Sequence, residues 1–103
     1  MATSEPITLD LANLEVLSAL RRLERQADVS AARAALAVDA YRLMPIRRLP
    51  TFGLLDEVWT LRHNVSAYDA AYVALARVLS CDLVTADARL AGVPSLGIRV
   101  VVA

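Results

Sequence analysis

The sequence predicts an α/β fold built on a parallel sheet. Two observations carry that reading. Helical stretches are interleaved with short apolar runs, the order expected when helices cross over between parallel strands. No internal repeat, low-complexity tract or linker interrupts the 103 residues, which places all of them, 1–103, in a single domain.

The elements follow in order. Residues 9–26 read as a first helix, because Leu9, Ala12, Val16, Ala19, Leu20 and Leu23 recur at helical spacing, with Asp10, Arg21, Glu24 and Arg25 on the opposite face. Ser30 is the expected N-cap of a second helix that runs to about Met44 and is ended by Pro45. Pro45 to Pro50 is a short extended segment between two prolines. A third helix covers residues 53–63, with Leu54, Leu55, Val58, Trp59 and Leu61 apolar and Asn64 as its stop. Ser66 opens a fourth, to about Leu79, whose inner stripe is Tyr72, Val73, Leu75, Ala76 and Leu79. Residues 82–85 read as a short buried strand, 87–91 as a helical turn and 98–102 as a terminal strand. Only three strands are found, and none precedes the first helix. A parallel sheet needs its centre and both faces filled, so the pattern reads as a sheet whose first strand is absent.

Composition narrows the function. Hydrophobic residues make up 57% of the chain, above the ~45–50% usual in soluble domains. Small domains bury a smaller share of their surface, so another subunit, a partner, or residues not present here are expected to cover some of that apolar area. No apolar run approaches the ~20 residues of a membrane span, and Met1-Ala-Thr-Ser-Glu-Pro6 has neither a basic nor an apolar leader region. The reading is cytoplasmic. A single cysteine, Cys81, excludes internal disulfides and a cysteine-based zinc site, and a single histidine, His63, leaves little for a histidine metal pair or a Ser-His-Asp triad. Eleven basic and eleven acidic residues cancel, so bulk charge gives no nucleic-acid footprint. All the basic residues are arginine, so any phosphate contact would use the planar guanidinium.

Three carboxylates stand out. Ser66-Ala-Tyr-Asp69 resembles a capping box. Asp69 is therefore either a cap set against the helix dipole or a carboxylate at the head of the Tyr72, Val73, Ala76 stripe, where an inward-facing charge calls for a counter-ion such as a metal. Asp87 follows Leu83-Val-Thr85 at the carboxyl end of a strand, the edge at which open α/β sheets bind ligands. It too has a bland alternative, in which Thr85 caps the next turn and Asp87 merely occupies it. Glu15 falls on the edge of an apolar stripe, between Ala12 and Ala19, as a rim salt bridge or a ligand. Carboxylates from separate elements suit Mg²⁺ or Mn²⁺, which prefer hard oxygen donors and can activate water and stabilise charge on a phosphodiester.

Four local sequences go further. Leu14-Glu-Val-Leu-Ser-Ala-Leu-Arg-Arg22, Val58-Trp-Thr-Leu-Arg-His-Asn64, Ser66-Ala-Tyr-Asp-Ala-Ala-Tyr-Val-Ala-Leu-Ala76 and Leu83-Val-Thr-Ala-Asp-Ala-Arg-Leu90 resemble consecutive blocks of VapC-type PIN-domain toxins, in the family's order. The resemblance implies a PIN-like three-layer fold. It also implies a metal-dependent endoribonuclease acting on RNAs such as tRNA or rRNA, a likeness to homodimeric toxins, and restraint by a VapB-type antitoxin. By the same resemblance Glu15, Asp69 and Asp87 match metal-site acids, and Thr85 matches a hydroxyl position near that site. Family members open with a strand ending in a further catalytic aspartate, followed by helices. Only fourteen residues precede Glu15 here, so that part is expected to be missing. Ile7-Thr-Leu-Asp10 imitates it but leaves no room for intervening helices, and Asp10 is read as a decoy on the solvent face.

Two functions compete on these grounds, with a third outcome beside them. The chain cleaves RNA with metal held by Glu15, Asp69 and Asp87, with Arg22, Arg47, Arg48 or Arg62 as candidate phosphate contacts. Alternatively it is a catalytically impaired PIN remnant that dimerises or captures an antitoxin helix. The third outcome is a fragment that folds poorly for want of a strand.

Overall fold

The computed structural model describes residues 6–103. The chain forms two compact units, Met1–Pro50 and Thr51–Ala103.

The first unit begins with a strand, β1 (Ile7–Leu9), followed by helices α1 (Leu11–Arg25) and α2 (Ala31–Leu43) and strand β2 (Arg47–Leu49). β1 and β2 pair in parallel, with Ile7 opposite Arg47 and Leu9 opposite Leu49. This corrects the expectation that no strand precedes the first helix. Leu9 continues the helical spacing of α1 in the sequence, yet it is fully buried as the last residue of β1. What makes it a strand is its partner about forty residues away: Arg47 N–H donates to the Pro6 carbonyl at 3.0 Å, and Asp10 N–H to the Leu49 carbonyl at 2.8 Å. Asp10 is exposed at the head of α1, and its side chain makes no capping hydrogen bond.

Ser30 caps α2 as expected, its Oγ accepting from Arg33 N–H at 3.2 Å, and the chain turns extended at Met44, ahead of Pro45. A polar knot joins α1, α2 and β2. The Tyr41 hydroxyl donates to Asn13 Oδ1 at 2.8 Å and accepts from Arg48 Nε at 3.3 Å, while Arg48 Nη2 donates to the Tyr41 carbonyl at 2.9 Å and Nη1 to the Ile46 carbonyl at 3.1 Å. The guanidinium also lies 4.5 Å from the Tyr41 ring centre. Arg48 is thereby a strut of the fold. Tyr41→Phe leaves Asn13 and Arg48 each short of a partner and is expected to destabilise the chain by about 0.5–1.5 kcal/mol, read as a lower urea midpoint with unchanged slope.

The second unit opens with a 3₁₀ turn (Phe52–Leu54) leading into α3 (Leu55–Thr60), where the sequence reads one helix to residue 63. Turns follow as far as Ser66. Helix α4 (Ala67–Leu79) is the core element. Ala70, Ala71, Val73, Ala74, Leu75 and Ala76 are all buried along it, a wider band than the single expected stripe, and Leu79 is exposed at its end. The small alanines let neighbours approach on several sides at once. α4 ends with Ser80 in the left-handed conformation (φ 52°), and Cys81 N–H closes back onto the Ala76 carbonyl at 3.0 Å.

Strand β3 (Leu83–Thr85), the short helix α5 (Ala88–Ala91) and strand β4 (Val100–Val102) complete the unit. β3 and β4 are parallel, with Leu83 opposite Val100 and Thr85 opposite Val102. The strands therefore form two separate parallel pairs among the described residues, one in each unit, where the sequence suggests one sheet. The second core gathers Leu61, Ala70, Val73, Leu90 and Leu96, with Val58, Val65, Leu83, Val93, Ile98 and Val100 packed on it. Arg77 closes its rim, donating to the carbonyls of Leu96 and Ser95 and pairing with Glu57 at 3.3 Å.

Candidate active site

Two of the sequence-derived acids belong to the second unit. Ser66 caps α4, and its Oγ accepts from Asp69 N–H at 3.2 Å. The capping geometry read from Ser66-Ala-Tyr-Asp69 thus forms, and it fixes where Asp69 stands: half-buried, in the first turn of α4, with its charge set favourably against the helix N-terminus. Capping and ligation are compatible here, because the cap uses the Ser66 side chain and the backbone of Asp69.

Asp87 is placed by β3. Where that strand ends, Thr85 Oγ1 accepts from Asp87 N–H at 3.1 Å, and Asp87 becomes the N-cap of α5, Oδ1 accepting from Arg89 N–H at 3.0 Å. Thr85 is half-buried, and its hydroxyl proton remains available to donate. The Arg89 guanidinium then grips the same carboxylate with two prongs: Nε donates to Oδ1 at 3.1 Å and Nη2 to Oδ2 at 2.9 Å. This fork, with the backbone hydrogen bond and the charge of Arg89 behind it, holds the Asp87 carboxyl below the usual aspartate range. Asp87 in turn raises the Arg89 guanidinium above its ordinary value, and the charge of Asp69 adds to that effect. Arg89 is thus the group on which both acids act. Its prominence was not read from the sequence, although it stands in the Leu83–Leu90 block, two residues from Asp87.

Glu15 belongs to the first unit, where it is exposed on α1. Among the described residues no three side chains of the His, Cys, Asp or Glu type gather at metal-holding distance. Of the arginines considered for phosphate, Arg22 is exposed and lines a shallow hollow with Ser18, Arg21, Arg25 and Gln26. Arg47 is exposed, Arg48 is tied into the Tyr41 knot, and Arg62 stacks on Trp59, 4.4 Å from its ring centre, while donating to the Trp59 carbonyl at 2.9 Å.

Chemically, the second unit presents two carboxylates and a hydroxyl from three segments. All the donors are hard oxygens, with neither sulfur nor imidazole among them. Mg²⁺ commonly binds through one or two carboxylates and retains several waters, so a donor set of this size fits such an ion. No helix among the described residues is long and apolar enough to cross a membrane.

Comparison with known proteins agrees with the sequence blocks. The PIN domain family matches residues 1–96. Ribonuclease VapC9 of Mycobacterium tuberculosis is 46% identical over 80 residues, covering 78% of this chain and 63% of the relative. Ribonuclease VapC1 of the same organism is 44% identical over 87 residues, covering 84% of this chain and 65% of the relative. For Ribonuclease VapC3 the identity is 38% over 77 residues, with 75% of this chain and 56% of the relative covered. The chain thus spans less than two thirds of the length of these curated relatives. Its mixed helices and short parallel strands are those of a PIN-like α/β fold. The chain belongs to the PIN-domain family and is similar to VapC ribonucleases over most of its length.

Proposed function

We propose that this protein is a toxin endoribonuclease that cleaves RNA phosphodiester bonds with the help of Mg²⁺ or Mn²⁺. Its substrate would be RNA of the tRNA or rRNA class. A VapB-type antitoxin would restrain it, and it would work in the cytoplasm as a homodimer. The observation that carries this reading is the similarity to proteins named VapC ribonucleases, together with a PIN domain match over residues 1–96 that takes in Glu15, Asp69 and Asp87. The local chemistry of the second unit supports it.

In this reading Asp69 and Asp87 of the second unit are metal ligands, with Thr85 as a secondary contact through its hydroxyl or a bound water; Glu15, on the first unit, is assigned a ligand role by its sequence block alone. A bound divalent cation supplies water activation and charge neutralisation at the phosphodiester. The chain's own contributions are more specific. Thr85 fixes the backbone of Asp87, the end of β3 sets the carboxylate at the strand's carboxyl edge, and the Ser66 cap fixes the first turn of α4 that carries Asp69. Arg22 and Arg47, both exposed, remain candidates for backbone phosphates.

The purified chain incubated with tRNA or rRNA is expected to cleave it in Mg²⁺ or Mn²⁺, to stop on addition of EDTA, and to resume when metal is returned in excess. Absence of cleavage at saturating metal overturns the enzymatic reading for this chain. One observation favours a second reading, a catalytically impaired module that dimerises or binds an antitoxin. Leu14 and Leu17 on α1 and Leu36 and Leu43 on α2 are exposed, Leu43 at 84%, and an apolar partner helix would cover such side chains. Tight antitoxin binding without cleavage is the result that selects it.

A further inference from the structure

Arg89 is the ion-pair partner of Asp87. Its guanidinium meets both oxygens of Asp87 in the fork geometry that carboxylates and guanidiniums form best. Its own backbone N–H takes a further lone pair of Oδ1. Three donors therefore converge on one carboxylate. A carboxylate offers about four lone-pair sites in all, so the oxygens a cation would use are largely engaged. Yet the holder is weakly anchored. The Arg89 side chain is 90% exposed and that of Asp87 35% exposed, and among the described residues the guanidinium hydrogen-bonds to Asp87 alone. An exposed pair of this kind exchanges readily, unlike Arg48, whose guanidinium is fixed by two backbone carbonyls.

The charges make the arrangement competitive. A divalent cation and a guanidinium cannot share one carboxylate without repelling each other. The charge of Asp69 also favours the charged Arg89 guanidinium, as the smallest of the influences on it.

We infer that Arg89 is an internal counter-ion that competes with a divalent cation for the Asp87 carboxylate, and that cation loading releases its guanidinium to contact an RNA phosphate. The inference rests on the reading of Asp87 as a cation ligand. It makes Arg89 a positioning residue whose effect on cation affinity is opposite in sign to that of a ligand. Before loading, it holds the carboxylate oriented at the end of β3. After loading, it is a planar donor beside the cation, with geometry suited to a phosphate.

The test is a Mn²⁺ titration of the intact chain by calorimetry, without RNA, for the unaltered protein, Arg89→Gln, Arg89→Lys and Asp87→Asn. Arg89→Gln is expected to bind Mn²⁺ about 1.5- to 5-fold more tightly, the range expected when one exposed charge-assisted pair no longer competes. Arg89→Lys, which keeps the charge but loses the fork, should fall between. Asp87→Asn should weaken binding, while asparagine still caps α5 and keeps the local backbone. A second titration uses a single-stranded oligoribonucleotide at saturating Ca²⁺, where Arg89→Gln should weaken RNA binding and show a shallower salt dependence. If Asp87→Asn weakens Mn²⁺ binding but Arg89→Gln leaves it unchanged or weaker, the competition is wrong and the ligand reading stands. If Mn²⁺ binding is absent, or survives Asp87→Asn unchanged, the ligand reading falls and the competition falls with it. If Arg89→Gln tightens Mn²⁺ binding but leaves RNA affinity unaltered, the release to phosphate is overturned. Far-UV circular dichroism of each variant confirms that the compared proteins are folded.

Discussion

Replacing Leu61 by alanine is expected to destabilise the second unit by about 2–5 kcal/mol, the range for removing a buried leucine side chain. Leu61 is buried in the turn after α3 and packs into the cluster that contains Ala70, Val73, Leu90 and Leu96. Two of its neighbours are already small or β-branched, on a helix whose other positions are largely alanine. Such a wall has few long side chains to swing into the vacated space, so the cost should lie in the upper half of the range. Trp59, the single tryptophan, lies two residues away in the same unit, and its fluorescence during urea unfolding reports the loss directly. A midpoint shift worth under about 1 kcal/mol would show that the site collapses more freely than this packing implies.

Asp69→Asn is expected to reduce RNA cleavage by more than the roughly 10–100-fold that follows loss of a mere outer-shell partner of a metal. Its effect on folding should be small, since removing one favourable charge from a helix N-terminus costs about 0.3–1 kcal/mol. Ser66→Ala provides the contrast. It deletes the side chain that accepts from Asp69 N–H and should cost about 0.5–2 kcal/mol of stability, while leaving the Asp69 carboxylate in place and most of the activity with it. Cleavage rate and unfolding midpoint, measured on both variants, separate ligation from capping. Should Asp69→Asn lose only stability, the residue is a cap and the metal reading of this position fails.

Much of this architecture was legible in the chain. Ser30, Pro45, Ser66 and Ser80 mark helix ends through local backbone chemistry, and three of these sit where the sequence places a boundary. The family was legible for a different reason: four blocks in order carry it, and the PIN domain match spans them. The helical turn at Asp87 was also readable, because Thr85 and Asp87 satisfy their neighbours' N–H groups within two residues. Less readable were the breadth of the buried band on α4 and the end of α3, which depend on what packs against them. The polar knot around Tyr41 was invisible, since its members lie 28 and 7 residues apart in sequence.

What the sequence determined by itself, then, is everything set by short-range periodicity and capping: the helices, the two acids at the ends of elements, and the family that those local blocks identify. Tertiary structure decided the rest. A three-residue stretch such as Ile7–Leu9 has too few residues to show a period, and only pairing with Arg47–Leu49 makes it a strand in place of a first helical turn. In the same way, Asp87 carries one formal charge in any sequence. Only the folded geometry shows that Arg89 occupies both of its oxygens, because a fork requires the turn after β3 to bring guanidinium and carboxylate face to face.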